Sequence, residues 1–133
     1  MTIISINEKY SVSGPIGEAE IERLKQSGVT TLICGRFDNE DDGQIPTQDI
    51  AEIAQKKGLT HVHIPVKSGQ YSQADISAFQ QAYSASEGKI HGYCRRGSRV
   101  AHLWILSQNK PLQPLINRIR GLGIDISALT GDA

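Results

Sequence analysis

The stretch Cys94-Arg95-Arg96-Gly97-Ser98-Arg99 gathers a thiol, three guanidiniums and a glycine within six residues. A thiol is a nucleophile only as its thiolate, and neighbouring positive charge favours that form. The run from Val100 to Leu106 is apolar on nearly every side, so the loop leads into the N-terminus of a buried helix. Unpaired amides and the helix dipole at such an end attract anions. Gly97 lets the chain turn where a side chain would obstruct it. Arg99 can close on an anion with a two-pronged fork, Arg95 and Arg96 add positive field, and Ser98 brings a hydroxyl. The combination reads as a site for covalent catalysis on an anion, with Cys94 and Arg99 catalytic and residues 95–98 binding. The plainer reading, a small buried residue at a strand end, accounts for Cys94 but not for the arginines around it.

These residues need a frame. Segments 3–6 and 10–13 are β-like runs around the turn residues 7–9, which predicts an N-terminal hairpin. Segment 18–27 reads as a helix with Ile21 and Leu24 inward, acids in its first turn and Gly28 past its end. Segment 29–34 is a continuous apolar and β-branched run, the mark of a strand covered on both faces. Thr47 can cap a helix to residue 57, segment 60–65 is the next strand, and Ser72 with Asp75 opens a helix carrying Ile76, Phe79 and Tyr83 inward. Segment 89–93 is a short strand, and Pro111 opens a last helix with Leu112, Leu115, Ile116, Ile119 and Leu122 along one face. Alternating strands and helices predict an α/β domain with a mainly parallel central sheet flanked by helices. Sites in such sheets lie beyond the carboxyl ends of the strands, where loops 35–44, 66–72 and 94–99 meet.

A chain of 133 residues predicts one domain over 1–133, large enough to bury a core without metal or disulfide help. Fourteen basic and fourteen acidic residues give zero net charge, which argues against a general nucleic-acid or polybasic membrane partner. No apolar run approaches the ~20 residues of a membrane span. The first ten residues lack a leader's basic and apolar pattern. The expectation is a cytoplasmic protein with free thiols and no cofactor, its oligomeric state open.

With its flanking residue Tyr93, the loop 94–99 resembles the active loop of cysteine-dependent phosphatases. Tyr10-Ser11-Val12-Ser13-Gly14, Gly28-Val29-Thr30-Thr31-Leu32-Ile33-Cys34-Gly35-Arg36-Phe37-Asp38 and His63-Ile64-Pro65-Val66 extend the likeness over most of the chain. Together they resemble the bacterial beta-lactamase-hydrolase-like, phosphatase-like domains, relatives of the dual-specificity phosphatases. The resemblance implies that Cys94 attacks phosphorus to form a cysteinyl-phosphate, that Arg99 and the loop amides hold the non-bridging oxygens, and that a carboxylic acid protonates the leaving alcohol and then activates water. The substrate would be a phosphate monoester of open class.

Three positions depart from the broad signature. Four residues separate Cys94 from Arg99 where five are common, although the shorter spacing is usual in the bacterial family. Tyr93 stands where a histidine is usual, with His91 three positions before the cysteine. Val100 follows the arginine, so a hydroxyl to assist the leaving thiolate would have to come from Ser98. The acid is also open. Dual-specificity relatives often carry it in the loop corresponding to 66–72, which here has Lys67 but neither Asp nor Glu. Asp38 matches an aspartate of the family's Asn-Arg-Pro-Asp-like motif, with Phe37 in place of the proline. Glu40, Asp41, Asp75 and an acid-free mechanism are the alternatives. The acidic run 38–42 reads equally as a solvated loop.

The loop also resembles that of rhodanese-type sulfurtransferases, which is typically six residues long and would carry a Cys94 persulfide without any acid. A non-catalytic anion-binding module would keep Arg99 and the amides without needing Cys94. Among the other marked residues, Cys34 ends strand 29–34 as Cys94 follows strand 89–93, so the two could meet as a reversible disulfide; a buried structural thiol is the plainer reading. His61, His63 and His91 lack metal-ligand spacing, Trp104 reads as core, Arg36 could enter the anion site from loop 35–44 although a surface arginine is the plainer reading, and Arg118 and Arg120 form no stripe.

Overall fold

The β-branched segments pair and the amphipathic ones cover them, giving a five-stranded sheet with helices on both faces. The computed structural model describes residues 2–130; Met1 and residues 131–133, part of the domain expected over 1–133, lie outside them. Strands β1 (Ile4–Ser5) and β2 (Tyr10–Ser13) form the expected hairpin, antiparallel with Ile4 opposite Val12. Its turn is held by Asn7, whose Oδ1 accepts the amides of Lys9 and Tyr10 at 2.8 and 2.7 Å. Then come α1 (Glu18–Gln26), β3 (Val29–Cys34), α2 (Thr47–Lys56), β4 (Thr60–His63), α3 (Gln73–Ala85), β5 (Lys89–Tyr93), α4 (Ser98–Ser107), α5 (Leu112–Gly121) and a short α6 (Ser127–Thr130). The sheet order is β1-β2-β5-β3-β4, parallel everywhere except the hairpin. Among the described residues no helix is long and apolar enough to cross a membrane.

The two faces carry separate cores. Helices α3, α4 and α5 cover Val12, Ile33 and Ile90 with Phe79, Leu103, Ile105 and Ile119. Helices α1 and α2 cover Leu32, Cys34 and Tyr93 with Ile21, Leu24, Ile50 and Ala54. Burial of these apolar side chains drives the assembly. Central position explains why β3 and β5 are nearly all buried, whereas β4 at the sheet edge is half-exposed.

Several details differ from the sequence expectations. Strand β4 ends at His63, two residues early, because Ile64 donates to Cys34 and the chain then leaves the sheet. Thr47 does not cap α2; it is the first helical residue, and Asp38 from the preceding loop caps it. Helix α5 buries Ile116 and Ile119 but leaves Leu112 and Leu122 exposed. Ser72 does cap α3, in a reciprocal box with Asp75.

One close approach locks β5 to the helix that carries the arginine. The Tyr10 hydroxyl donates to the Val100 carbonyl at 3.0 Å, passing directly over Gly92. A Cβ on Gly92 would overlap that hydroxyl and lie 2.9 Å from Val100 Cβ. Gly92→Ala is expected to destabilise the fold by about 1–3 kcal/mol through overpacking, measured as a lower urea midpoint at unchanged m-value.

Candidate active site

Strand β5 ends at Tyr93, and register decides which side chains face where. Cys34 pairs with Tyr93, so both point to the α1/α2 face, and Cys94, one residue on, points to the other. The two thiols therefore lie on opposite faces of the sheet. This placement supports the plainer reading of Cys34 as a buried thiol over a Cys34–Cys94 disulfide, and burial pushes its thiol up. Cys34 is a core residue, lying within sulfur hydrogen-bond range of the Arg36 carbonyl and the Thr47 hydroxyl.

Cys94 is almost fully buried, and its amide donates to the Ser13 carbonyl at 3.3 Å. The chain then bends through Arg95 and Arg96 to Gly97, whose φ of +89° is the left-handed conformation that glycine adopts without strain. Gly97 caps α4, and its amide donates back to Cys94 Sγ at 3.1 Å. A Cβ on Gly97 would sit about 3.4 Å from the Ser13 backbone, so the loop rests directly on the end of β2. The amide–sulfur bond is what a thiolate needs for stabilisation. Ser98 begins α4, and Arg95 and Arg96 are exposed at the rim.

Arg99 is held from several sides. Glu40 takes its Nη1 and Nη2 hydrogens at 2.7 and 2.9 Å, and the Val66 carbonyl takes a second from Nη1 at 2.9 Å. A guanidinium has five N–H donors. Among the described residues, Nε and the remaining Nη2 hydrogen meet no acceptor, and these two share one edge of the plane. Glu40 thus fixes one edge of the fork and leaves the adjacent edge for an incoming anion. The guanidinium in turn holds the Glu40 carboxyl below the usual range.

Asp38 and Asp41 of loop 35–44 are also committed, while Asp42 is exposed. Arg36 is buried rather than a surface residue, and it binds Glu40 at 3.3 Å and Asp41. Asp41 reaches Arg95 at 3.3 Å. Asp38 Oδ1 accepts the Thr47 amide and hydroxyl at 2.8 and 2.7 Å, and these bonds hold its carboxyl below the usual range. Asp75 serves the α3 cap. Of the sequence candidates, the structure brings together Cys94, Gly97, Arg99 and Glu40, sets Arg95 at the rim, and ties Asp38 to the start of α2.

Three of the four histidines, His61, His63 and His91, bond to neighbouring groups of the frame. His61 Nε2 lies 2.7 Å from the Tyr93 hydroxyl and His63 Nε2 2.6 Å from the Arg36 carbonyl. His91, fully buried, lies 2.7 Å from Ser11 Oγ and 2.8 Å from Ser13 Oγ. Ser13 Oγ already donates to the Gly14 carbonyl. It therefore accepts from Nε2–H, and Ser11 donates to Nδ1. This ordered chain braces the strand end that supports the cysteine loop, a role that sequence spacing alone did not suggest. The alternation Ser11, Ser13 opposite His91 was its only trace.

Residues 3–111 match the family described as beta-lactamase hydrolase-like protein, phosphatase-like domain. The chain belongs to that family. Beta-lactamase hydrolase-like proteins of Xylella fastidiosa (strain Temecula1 / ATCC 700964) and Agrobacterium fabrum (strain C58 / ATCC 33970) are 33% and 31% identical to it over 109 and 108 residues. Each alignment covers 81% of this chain but 25% of the relative, so the chain spans about a quarter of their length. A putative phosphatase from Neisseria meningitidis Z2491 superposes with a TM-score of 0.83 at 27% identity, covering 99% of this chain and 97% of that one. P. aeruginosa TpbA, solved in complex with phosphotyrosine, shares the fold with a TM-score of 0.70 at 14% identity, covering 97% and 80%.

Two predictions follow from the geometry. If Glu40 positions Arg99, Glu40→Gln weakens inorganic phosphate binding to the Cys94→Ser protein roughly tenfold through lost preorganisation; if Glu40 merely competed with anions, titration calorimetry would show tighter binding. Burial lowers His91 from 6.5 to about 4, and His61 likewise. Between those values the unfolded chain binds more protons, so stability falls as pH drops from 6.5 toward 4. Denaturation across that range should show the fall, with a shallower slope in His91→Gln.

Proposed function

We propose that the protein hydrolyses phosphate monoesters through a Cys94 cysteinyl-phosphate. The observation that carries this reading is the pairing of a buried sulfur, already accepting the Gly97 amide, with an Arg99 fork whose outer edge is fixed by Glu40. The thiolate attacks phosphorus, and the ester oxygen leaves with the electron pair of the P–O bond. Amides of 95–99 and the open edge of Arg99 hold the three non-bridging oxygens, with Arg95, Arg96 and the Ser98 hydroxyl adding to the field at the mouth. Water then cleaves the S–P bond and releases phosphate. Asp38, committed to Thr47, we assign to fixing loop 35–44 on α2 rather than to proton donation. Membership of a phosphatase-like family supports the reaction type. A thiolate nucleophile needs a reducing compartment, which supports a cytoplasmic setting. We read 1–133 as one phosphatase-like domain acting on a phosphorylated substrate.

Sulfur transfer remains the second reading because only four residues separate Cys94 from Arg99. A paired assay decides between them. Wild type is expected to release phosphate from an aryl phosphate and to form no thiocyanate from thiosulfate and cyanide, and Cys94→Ser to lose the phosphate release completely. Cys94-dependent thiocyanate without phosphate release would replace the phosphatase reading. Full phosphate turnover by Cys94→Ser would remove it.

A further inference from the structure

A leaving alcohol needs a proton, and three of the four carboxylates of loop 35–44 are already engaged: Asp38 by Thr47, Glu40 by Arg99 and Arg36, Asp41 by Arg36 and Arg95, while Asp42 is exposed to solvent. Loop 66–72, on the other side of the site, holds no acid but ends near a different proton carrier. The Tyr71 hydroxyl lies 2.7 Å from Nδ1 of His102, their rings packed edge to face at 5.8 Å. His102 stands one helical turn after Arg99 on α4, and Val66 at the start of the same loop accepts from Arg99. Tyr71 packs on the core cluster that contains Cys94 and Val66, and it interacts electrostatically with both Cys94 and Arg99.

Hydrogen-bond accounting fixes the tautomer. His102 Nε2 lies 2.7 Å from the Asp125 carbonyl, which can only accept, so Nε2 carries hydrogen in every state. In the neutral ring Nδ1 is bare and Tyr71 donates to it. In the imidazolium Nδ1–H donates to the Tyr71 oxygen, and the phenolic hydrogen is free for another acceptor. Both states keep the two His102 nitrogens satisfied, so the pair can pass a proton without rearranging the fold.

Resting on the phosphatase reading above, we propose that Tyr71 delivers the proton to the leaving alcohol and that His102 supplies and recovers it. In the first step Cys94 thiolate forms the S–P bond and the P–O bond breaks. The alcohol oxygen takes the Tyr71 proton, and Tyr71 takes the Nδ1 proton, leaving neutral His102. In the second step water attacks phosphorus and the S–P bond breaks to restore the thiolate. The water proton passes to Tyr71, whose own proton returns to Nδ1. One ester and one water become one alcohol and one phosphate, with both side chains regenerated.

The groups facing the pair are, for Tyr71, Ser68, the Gly69 backbone, Cys94 and Arg99, and for His102, Asp125, itself near Arg96. Burial pulls His102 below the ordinary imidazole value, only partly offset by Asp125. The acid form is therefore lost as pH rises through that lowered value.

Leaving-group dependence tests the proposal, because kcat/KM reports the steps through departure of the alcohol. Phenyl phosphate needs protonation and 2,4-dinitrophenyl phosphate does not. Tyr71→Phe is expected to lose about 100-fold on the first and only a few-fold on the second. In wild type, kcat/KM for phenyl phosphate should carry a pH limb, falling as His102 deprotonates, that is absent for the dinitrophenyl ester; His102→Gln should erase the limb. Equal losses on both esters in Tyr71→Phe would mean a structural role only and overturn the proposal. So would the ester-selective loss appearing in Asp38→Asn instead. If wild type shows no Cys94-dependent release from either ester, the phosphatase reading falls and this inference falls with it; activity confined to the dinitrophenyl ester would sink the inference alone.

Discussion

Three arginines, Arg36, Arg95 and Arg99, are tied together by Glu40 and Asp41 where the parallel strands end, and neutralising their charge is the constraint around which the site is built. Arg36 and Arg99 are largely out of water, where an uncompensated charge is costly. Glu40 answers both and Asp41 answers Arg36 and Arg95, so one short loop neutralises much of the convergence. The compensation is directional. Glu40 holds the guanidinium by one edge, and the plane of Arg99 is set before any anion arrives. A pre-set fork avoids the ordering cost that a free arginine would bear on binding. The loop that does this is itself pinned at both ends, by Gln44 across its amides and by Asp38 on Thr47.

Much of the fold was legible because burial writes itself into residue type. The continuous apolar and β-branched run at 29–34 reads as a strand covered on both faces, and β3 lies inside the sheet between β5 and β4. The apolar run after Arg99 marked α4, whose residues Val100 to Ile105 are all buried. What the pattern could not reveal were contacts between distant elements. Thr47 has the type of a cap residue, but the cap comes from Asp38, nine residues away. Leu112 and Leu122 fit the apolar stripe of α5, yet they sit at its two ends, beyond the reach of the core that buries Ile116 and Ile119. Periodicity reports which face turns inward, not how far the core extends.

The site divides in the same way. Cys94, Gly97 and Arg99 were readable because a loop between a buried strand and a buried helix has one geometry, and the left-handed Gly97 meets it. Register disfavours the alternative Cys34–Cys94 pairing for a reason of parity. Both thiols end at the same edge of the sheet, but Cys34 is in register with Tyr93, and the next residue along points the other way. Acid type alone also misdirected attention to Asp38 and Glu40. The Thr47 bonds hold the Asp38 carboxyl below its usual range and Arg99 does the same for Glu40, so each favours the ionised form rather than the proton-bearing one.

The choice between phosphoryl and sulfur transfer turns on what the open edge of Arg99 is for. A persulfide presents one terminal sulfur to the loop, and a ring of amides suffices to stabilise it. A phosphoryl group presents three oxygens, and two of them match the two parallel N–H bonds on one edge of a guanidinium. Fixing Arg99 by its other edge with a bidentate carboxylate has a consequence only if that match matters. A point charge for a persulfide could rotate freely without loss. The Gly97 amide already sits on the sulfur at 3.1 Å, so the remaining amides of the loop and the fork are available for oxygens rather than for the thiolate itself. The shorter loop removes one amide from the ring but leaves this division of labour intact, which is why the constraint on Arg99, more than the length of the loop, favours an oxyanion.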